Sequence, residues 1–169
     1  MMKQLKTLLI AAVLVLGASQ MANAQAKSAH IDVSELMTKM PAYIDAQKQL
    51  QKLSETYDAD FKTMVAEYQA KLKKYSEEAT APGITDKINE DRSKEVKDME
   101  NRIGEFRETA QKELSTKESD LMKPIEEKVK AAIQKVGKAK GYQYVFNAAG
   151  LLLADGPDLT TDVKKELGF

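Results

Sequence analysis

The chain has 169 residues, with 26 basic and 26 acidic side chains, no cysteine and no tryptophan. The balanced charge argues against nucleic acid as a partner, because binding phosphates requires a clustered positive excess. The lack of cysteine excludes disulfides and a lipid-modified cysteine anchor, and 6% aromatic residues offer little for a large globular core.

The first 24 residues have the three parts of a secretory signal peptide. Lys3 and Lys6 precede an apolar run from Leu8 to Leu16, and Ala22-Asn23-Ala24 offers small residues for cleavage. The run is shorter than the roughly 20 residues of a membrane-spanning helix, which opposes the alternative of an uncleaved anchor. We expect cleavage after Ala24, or else after Ala26. Removing residues 1–24 leaves 145 residues, the length of one domain, with a formal charge of −2.

A long helix is predicted next, from Tyr43 to about Glu78, where Gly and Pro are absent. Its apolar residues recur at steps of three and four, the narrow stripe typical of a coiled-coil seam. They are Leu50, Leu53, Tyr57, Phe61, Met64, Tyr68, Leu72 and Tyr75. Residues 80–85 include Pro82 and Gly83, so the chain is expected to turn there.

A second helix is predicted from Thr85 or Asp86 to about Lys138, and more than half of its residues between Asp86 and Asp120 are charged. A helix so polar needs a partner along its thin seam, and the first helix is that partner. The seam residues are Ile88, Val96, Met99, Ile103, Phe106, Ala110, Leu114, Leu121, Ile125, Val129, Ile133 and Val136. Residues 43–123 are therefore expected to form an antiparallel hairpin arm with its tip at 80–85.

Pro124 falls inside the second helix, where it removes a hydrogen bond and crowds the preceding turn. We predict a kink or a restart near residues 122–124. Pro124 is a hinge candidate; the alternative is a proline that only begins a new helix. Gly104 is a second weak point of the helix, either for close packing or for flexibility.

After Gly141 the pattern changes to short apolar runs, Tyr142 to Phe146 and Leu151 to Ala154, separated by a turn at residues 147–150. This pattern predicts a β-hairpin, with which His30 to Val33 can pair. Asp158 or Thr160 is expected to cap a last helix that ends at Leu167-Gly168. The fold class is thus mainly α with a small β body, formed by residues 25–42 and 124–169 of a single domain 25–169.

A sheet this small is marginal alone, so we expect oligomerisation to cover its exposed apolar residues. The candidates for contacts between subunits are Ile31, Val33, Tyr144, Phe146, Leu151, Leu152 and Leu153.

Patterns typical of enzymes are missing from the sequence. It has no cysteine nucleophile, phosphate-binding loop or dinucleotide motif, and His30 is its single histidine. A metal site needs three or four convergent ligands, which His30 and Asp32 alone do not supply. Acidic side chains alternate with basic ones at helical spacing, as at Glu108 and Lys112, and indicate solvated ion pairs. We therefore predict no enzyme activity, no cofactor and no metal.

The residues most suited to weak binding are apolar side chains of the two helices. A two-helix hairpin is too thin to bury every seam residue, so parts of them stay exposed, and flexible methionine suits unspecific contacts. The alternative is that they only hold the hairpin together. The candidates are Phe61, Met64, Tyr68, Leu72, Tyr75, Met99, Ile103 and Phe106.

The sequence resembles the Skp (OmpH) family of periplasmic chaperones over essentially its whole length after the signal peptide. The most specific part is residues 121–147, which includes Leu121-Met-Lys-Pro-Ile125 and Gly141-Tyr-Gln-Tyr-Val-Phe-Asn147. Residues 31–43, 46–50, 68–74 and 158–167 also match. This chain departs from the family's often basic character, so apolar contact and cavity shape are expected to matter more than charge.

The resemblance implies a periplasmic homotrimer whose three helical hairpins project from a shared β body. It also implies that the trimer holds unfolded outer-membrane proteins without ATP and without stable membrane insertion. Two other functions stay open: a coiled-coil spacer with fixed envelope partners, and a lipid-surface protein, which the sparse apolar stripe disfavours.

Overall fold

The computed structural model describes residues 26–169, so the predicted signal peptide and the cleavage site after Ala24 lie outside the described residues. The elements are β1 (Ser28–Ile31), α1 (Val33–Lys39), α2 (Pro41–Glu78), α3 (Asp86–Ala139), β2 (Tyr144–Asn147), a 3-10 turn (Ala148–Gly150) and α4 (Thr160–Leu167). The chain divides into two compact units. We call residues 37–128 the hairpin unit, and residues 26–36 with 129–169 the sheet unit. The predicted fold class, mainly α with a small sheet, is confirmed.

In the hairpin unit, α2 is followed closely by α3, which runs back beside it. Pro41 begins α2 at a position where its missing N–H costs nothing. The turn between the helices contains Gly83 with φ of 90°, and the amide of Asn89 donates to the carbonyl of Ala79 at the end of α2 (2.9 Å). Thr85 accepts a hydrogen bond from the backbone of Ile88 (3.3 Å) and so caps α3.

Helix α3 continues through Pro124, so the restart predicted near residues 122–124 is wrong, whereas the kink given as its alternative stays a prediction. Proline removes a single N–H from the 54 residues of this helix. The seam pattern runs on across it, with Ile125 and Val129 7% and 4% exposed. Burial of these two residues directly after the proline stabilises this part of the helix and opposes the cost of the lost hydrogen bond. The proposed hinge at Pro124 stays a prediction.

The sheet unit is built on β1, which pairs in parallel with β2 from Ser28 opposite Tyr144 to Ile31 opposite Asn147. On its other side, the backbone of His30 donates to Pro157 and accepts from Leu159, both at 2.9 Å. The segment before α4 therefore takes the place of a third strand.

The predicted β-hairpin of residues 142–154 is wrong. Asn147 turns the chain into the 3-10 turn by accepting a hydrogen bond from Ala149 (3.3 Å), and Leu151 to Ala154 form no strand. A tight turn brings the two strands of a hairpin side by side. Here the 3-10 turn at Ala148–Gly150 takes its place, and the apolar run after it does not pair with β2.

The buried residues of the sheet unit recur with the periods of a strand and of a helix. Every second residue of β1 points inward, and every third or fourth residue of α3 and α4 does the same. The buried apolar side chains are Ala29, Ile31, Leu36, Val129, Ala132, Val136, Leu159 and Val163.

The end of α3 and the start of α4 are fixed by specific contacts. Gly141, with φ of 75°, ends α3 in a left-handed turn. The backbone N–H of Tyr142 then donates to the carbonyl of Gly137 (2.9 Å). Asp158 accepts hydrogen bonds from the backbone and hydroxyl of Thr160 (2.8 and 2.5 Å) at the start of α4. Thr160 in turn accepts from the backbone of Asp32 (2.9 Å).

Candidate binding surfaces

The eight predicted contact residues all lie in the hairpin unit, and none of them is fully buried. Leu72 is 45% exposed, and the other seven are half-buried. Within the same unit only Met40, Ala46, Ala110 and Ile125 are buried apolar residues. The seam is therefore a continuous apolar line that two helices close only in part.

A groove of 460 Å³ lies on this seam between α2 and α3, and we call it the aromatic groove. Tyr57 and Phe106 meet across the helices edge to face, with ring centroids 5.9 Å apart. The Tyr57 hydroxyl donates to the carboxylate of Glu113, and this hydrogen bond raises the pKa of Tyr57. The groove is lined by Ser54, Tyr57, Asp58, Phe61, Phe106, Arg107, Ala110, Gln111 and Leu114.

Phe61 and Phe106 were predicted from sequence as contact residues, and the structure brings both to this groove. Tyr57 and Leu114 belong to the predicted seam but not to the contact candidates. Ser54 and Ala110 were missed as groove residues. The signal that could have found them is the small side chain at or beside a seam position of each helix, which leaves space between them.

A second, more aliphatic groove of 590 Å³ lies in the same unit. Its apolar lining comes from Tyr43, Ile44, Leu50 and Leu114, and Ile44 is 41% exposed. Ser54 and Leu114 line both grooves, so the two are neighbours along the hairpin.

Near the turn the seam becomes polar. Glu95 accepts hydrogen bonds from Lys71 and from the Tyr75 hydroxyl, and both bonds lower the pKa of Glu95. Arg92 pairs with Glu78 at 2.7 Å and places its guanidinium 4.6 Å from the centre of the Tyr75 ring. Tyr75, a predicted contact residue, is therefore engaged by its own hairpin at both the ring and the hydroxyl.

The sheet unit carries an exposed apolar patch that includes five of the residues predicted at a subunit contact. Tyr144 and Phe146 lie two residues apart on the same face of β2. Their rings stack with centroids 6.2 Å apart, and they are 56% and 47% exposed. The remaining members are Leu151, Leu152 and Leu153, of which Leu152 is fully exposed. Of the two other candidates, Ile31 is buried in the core of this chain and Val33 is half-buried.

In residues 26–169, His, Cys, Asp and Glu form no group of three or more that could hold a metal ion. Within that same range, no helix combines the length and apolar character needed to cross a membrane.

Comparison with known proteins connects these features to one family. The model of the outer membrane protein (OmpH-like) family matches residues 27–167. The chain belongs to this family. The resemblance noted from the sequence is thereby confirmed.

Two relatives match the OmpH-like chain along most of its length. A chaperone protein Skp of Pectobacterium atrosepticum is 28% identical over 158 residues, covering 91% of this chain and 93% of that protein. An uncharacterised protein of Aquifex aeolicus is 27% identical over 138 residues, covering 81% and 83%.

A crystal structure described as a candidate outer membrane chaperone (OmpH-like) from Caulobacter crescentus superposes with a TM-score of 0.74. It covers 86% of each chain at 15% sequence identity, so the likeness concerns the fold.

Proposed function

We propose that this chain is a holding chaperone of the periplasm, which binds unfolded outer-membrane proteins without ATP and prevents their aggregation. The observation that carries the proposal is the half-exposed apolar seam of the hairpin unit, in a chain of the OmpH-like family. The name of the Pectobacterium relative, chaperone protein Skp, supports the same role.

The physical basis of holding is a large number of weak contacts. Each half-exposed seam residue offers only part of its surface, so a single contact is weak and tolerates many client sequences. Contacts made together along one client chain reinforce one another, because the first raises the effective concentration for the next. This mode of action needs no catalytic step and no cofactor.

We further propose that three copies assemble through the apolar patch of the sheet unit. An exposed patch of two stacked aromatics and three leucines is typical of a surface that another chain covers. A trimer presents three hairpins to one client, which multiplies the weak contacts. Native mass spectrometry of the processed chain, beginning at Gln25, tests the stoichiometry: a stable monomer at micromolar concentration contradicts it.

The holding activity is tested by diluting a urea-denatured outer-membrane β-barrel into buffer with the processed chain and recording light scattering. We expect a near-equimolar amount of trimer to suppress aggregation. Unchanged aggregation would contradict the chaperone function and favour a coiled-coil spacer with fixed partners.

Variants connect the activity to the seam. Replacing Met64, Leu72 and Met99 together by serine is expected to weaken holding, because all three offer apolar surface to the client. The control replaces the exposed Ala66 and Ala70 of α2, which lies beside the same seam, by serine. Circular dichroism must show an intact helix in both variants, and equal holding by both contradicts a role of the seam.

A further inference from the structure

We infer that the aromatic groove of the hairpin unit binds aromatic side chains of unfolded clients. This inference rests on the proposed holding function and adds the class of side chain that the hairpin selects. It is carried by the shape of the groove, by the fixed position of its walls and by the charges at its rim.

The shape of the groove follows from a small residue of each helix in its lining. Ser54 on α2 and Ala110 on α3 are too short to fill the space between the helices, while Phe61, Phe106 and Leu114 form the sides. The volume of 460 Å³ falls within the roughly 300–1,000 Å³ of small-ligand sites. Because Tyr57 and Phe106 already pack edge to face, a third ring can join them in the same geometry.

The walls of the groove are held in place before a ligand arrives. The ring of Tyr57 contacts Phe106 on one helix, and its hydroxyl is bound by Glu113 on the same helix. Two attachments restrict the rotamers of Tyr57, so little side-chain entropy is lost when a ligand packs against it. Clients therefore meet a pre-formed aromatic surface at this point.

The rim of the groove carries one charge of each sign, Asp58 and Arg107. Among the described residues, neither side chain forms an ion pair or a hydrogen bond. A charged ligand of either sign is attracted by one of these side chains and repelled by the other. The balanced rim therefore gives a charged group no net attraction to compensate its loss of water, and an uncharged group is favoured. A peptide backbone adds matching polar groups, because its unpaired C=O can accept from Arg107 and its N–H can donate to Asp58.

Uncharged aromatic side chains are plentiful in the proposed clients. Transmembrane β-strands alternate apolar and polar residues, and aromatic girdles flank the apolar band of the barrel. An unfolded strand thus presents a ring together with free backbone groups, which is the combination that the groove and its rim complement.

The test uses two synthetic nine-residue peptides, uncharged at both ends, in which serine alternates with either phenylalanine or leucine. Each is titrated into the processed chain while the amide NMR signals of residues 54–61 and 106–114 are followed. We expect the phenylalanine peptide to bind at least about fivefold tighter than its leucine twin. Equal affinity of the two peptides, or no saturable change near Ala110 up to about 1 mM, overturns the inference.

Two variants fill the groove from opposite helices, Ala110→Leu and Ser54→Leu, and each should abolish the preference for phenylalanine. The matched control is Thr109→Leu, which adds the same side chain at an exposed neighbouring position outside the groove and should keep the preference. If both filled variants retain it while staying helical, the ring binds elsewhere and the inference is wrong.

The same proteins are assayed in parallel for holding the denatured β-barrel. If the wild-type chain holds the barrel but shows no peptide preference, only the inference about the aromatic groove is contradicted. A wild-type chain that fails to hold the barrel contradicts the proposed function itself. The two failures are therefore distinguishable.

Discussion

The sheet unit and the hairpin unit use the same kinds of apolar residues and reach opposite degrees of burial. In the sheet unit a strand, a helix face and the start of α4 surround Ile31, Leu36, Leu159 and Val163, which are at most 2% exposed. In the hairpin unit two helices meet along one line, and Leu72 stays 45% exposed. Burial depends on how many elements converge, and the hairpin unit has too few to hide its seam.

The largest expected effect on stability comes from shortening a buried leucine of the sheet unit, with an exposed leucine of the hairpin unit as the comparison. Leu36→Ala, at a fully buried site, should lower the free energy of unfolding by about 2–5 kcal/mol. Leu72→Ala, where water already reaches the side chain, should cost less than about 1 kcal/mol. Urea unfolding followed by circular dichroism, at one fixed protein concentration, measures both. Similar losses would mean that the hairpin seam is buried by something that this chain alone does not show.

The sheet unit buries its core but leaves the apolar patch exposed, and a charge placed in that patch is expected to weaken association. Leu152→Asp places a charge on a fully exposed leucine, so the single chain should fold as before. If another copy covers this residue, the charge becomes buried and association should weaken by at least about tenfold. Native mass over a concentration series measures the change. Ser76→Asp, exposed in the hairpin unit, is the control that should associate normally.

The hairpin was predictable because its signals are local. The three-and-four spacing of residues such as Phe61 and Tyr68 predicts a seam, and Pro82-Gly83 marks the turn between Glu78 and Asp86. The strand at Leu151 to Ala154 was predicted wrongly because its apolar run says nothing about the geometry of the turn before it. Only the fold shows that residues 148–150 form a 3-10 turn, after which the run does not pair with β2.

The aromatic groove could not be predicted from the sequence for a related reason. Sequence places Ala110 on the seam of α3, but whether a small residue closes the helices together or leaves a cavity depends on their packing distance. That distance is set by larger neighbours, such as Tyr57 and Phe106, whose contact is not local in sequence. Candidate residues can thus be listed from periodicity, whereas a binding cavity needs the structure.

The third prediction concerns the polar contacts that fix α4 in the sheet unit. Hydrogen bonds from Thr160 lower the pKa of Asp158, so its ionised form stabilises the fold. This stabilisation is complete above the unfolded pKa and is lost as the pH falls through the lowered folded pKa. Asp158→Ala should therefore cost about 1 kcal/mol at pH 7, with a smaller difference from wild type in acid.

The measurement is urea unfolding of wild type and variant from pH 7 to pH 2. Asp158→Asn is the control, because asparagine also accepts hydrogen bonds at a helix start but does not titrate. A difference between wild type and Asp158→Ala that is independent of pH would show that the carboxylate contributes nothing through its charge.

The smallest expected effect on stability is that of alanine in place of two glycines of α3, one in each unit. At Gly104 in the hairpin unit, an added Cβ meets nothing within 4 Å, so Gly104→Ala should stabilise the chain by up to about 1 kcal/mol through helix propensity. At Gly137 in the sheet unit, the Cβ would lie 3.1 Å from a methyl group of Val145. Gly137→Ala must displace this neighbour, so the gain in propensity should be cancelled or reversed.

The double variant Gly137→Ala with Val145→Ala separates these two effects. It should be more stable than Val145→Ala alone, because the shortened neighbour leaves room for the new Cβ and the helix propensity then counts fully. Equal stabilisation by alanine at both glycines in the wild-type background would mean that α3 is no more tightly packed in the sheet unit than in the hairpin. Such a result would remove the contrast in burial at the one helix that both units share.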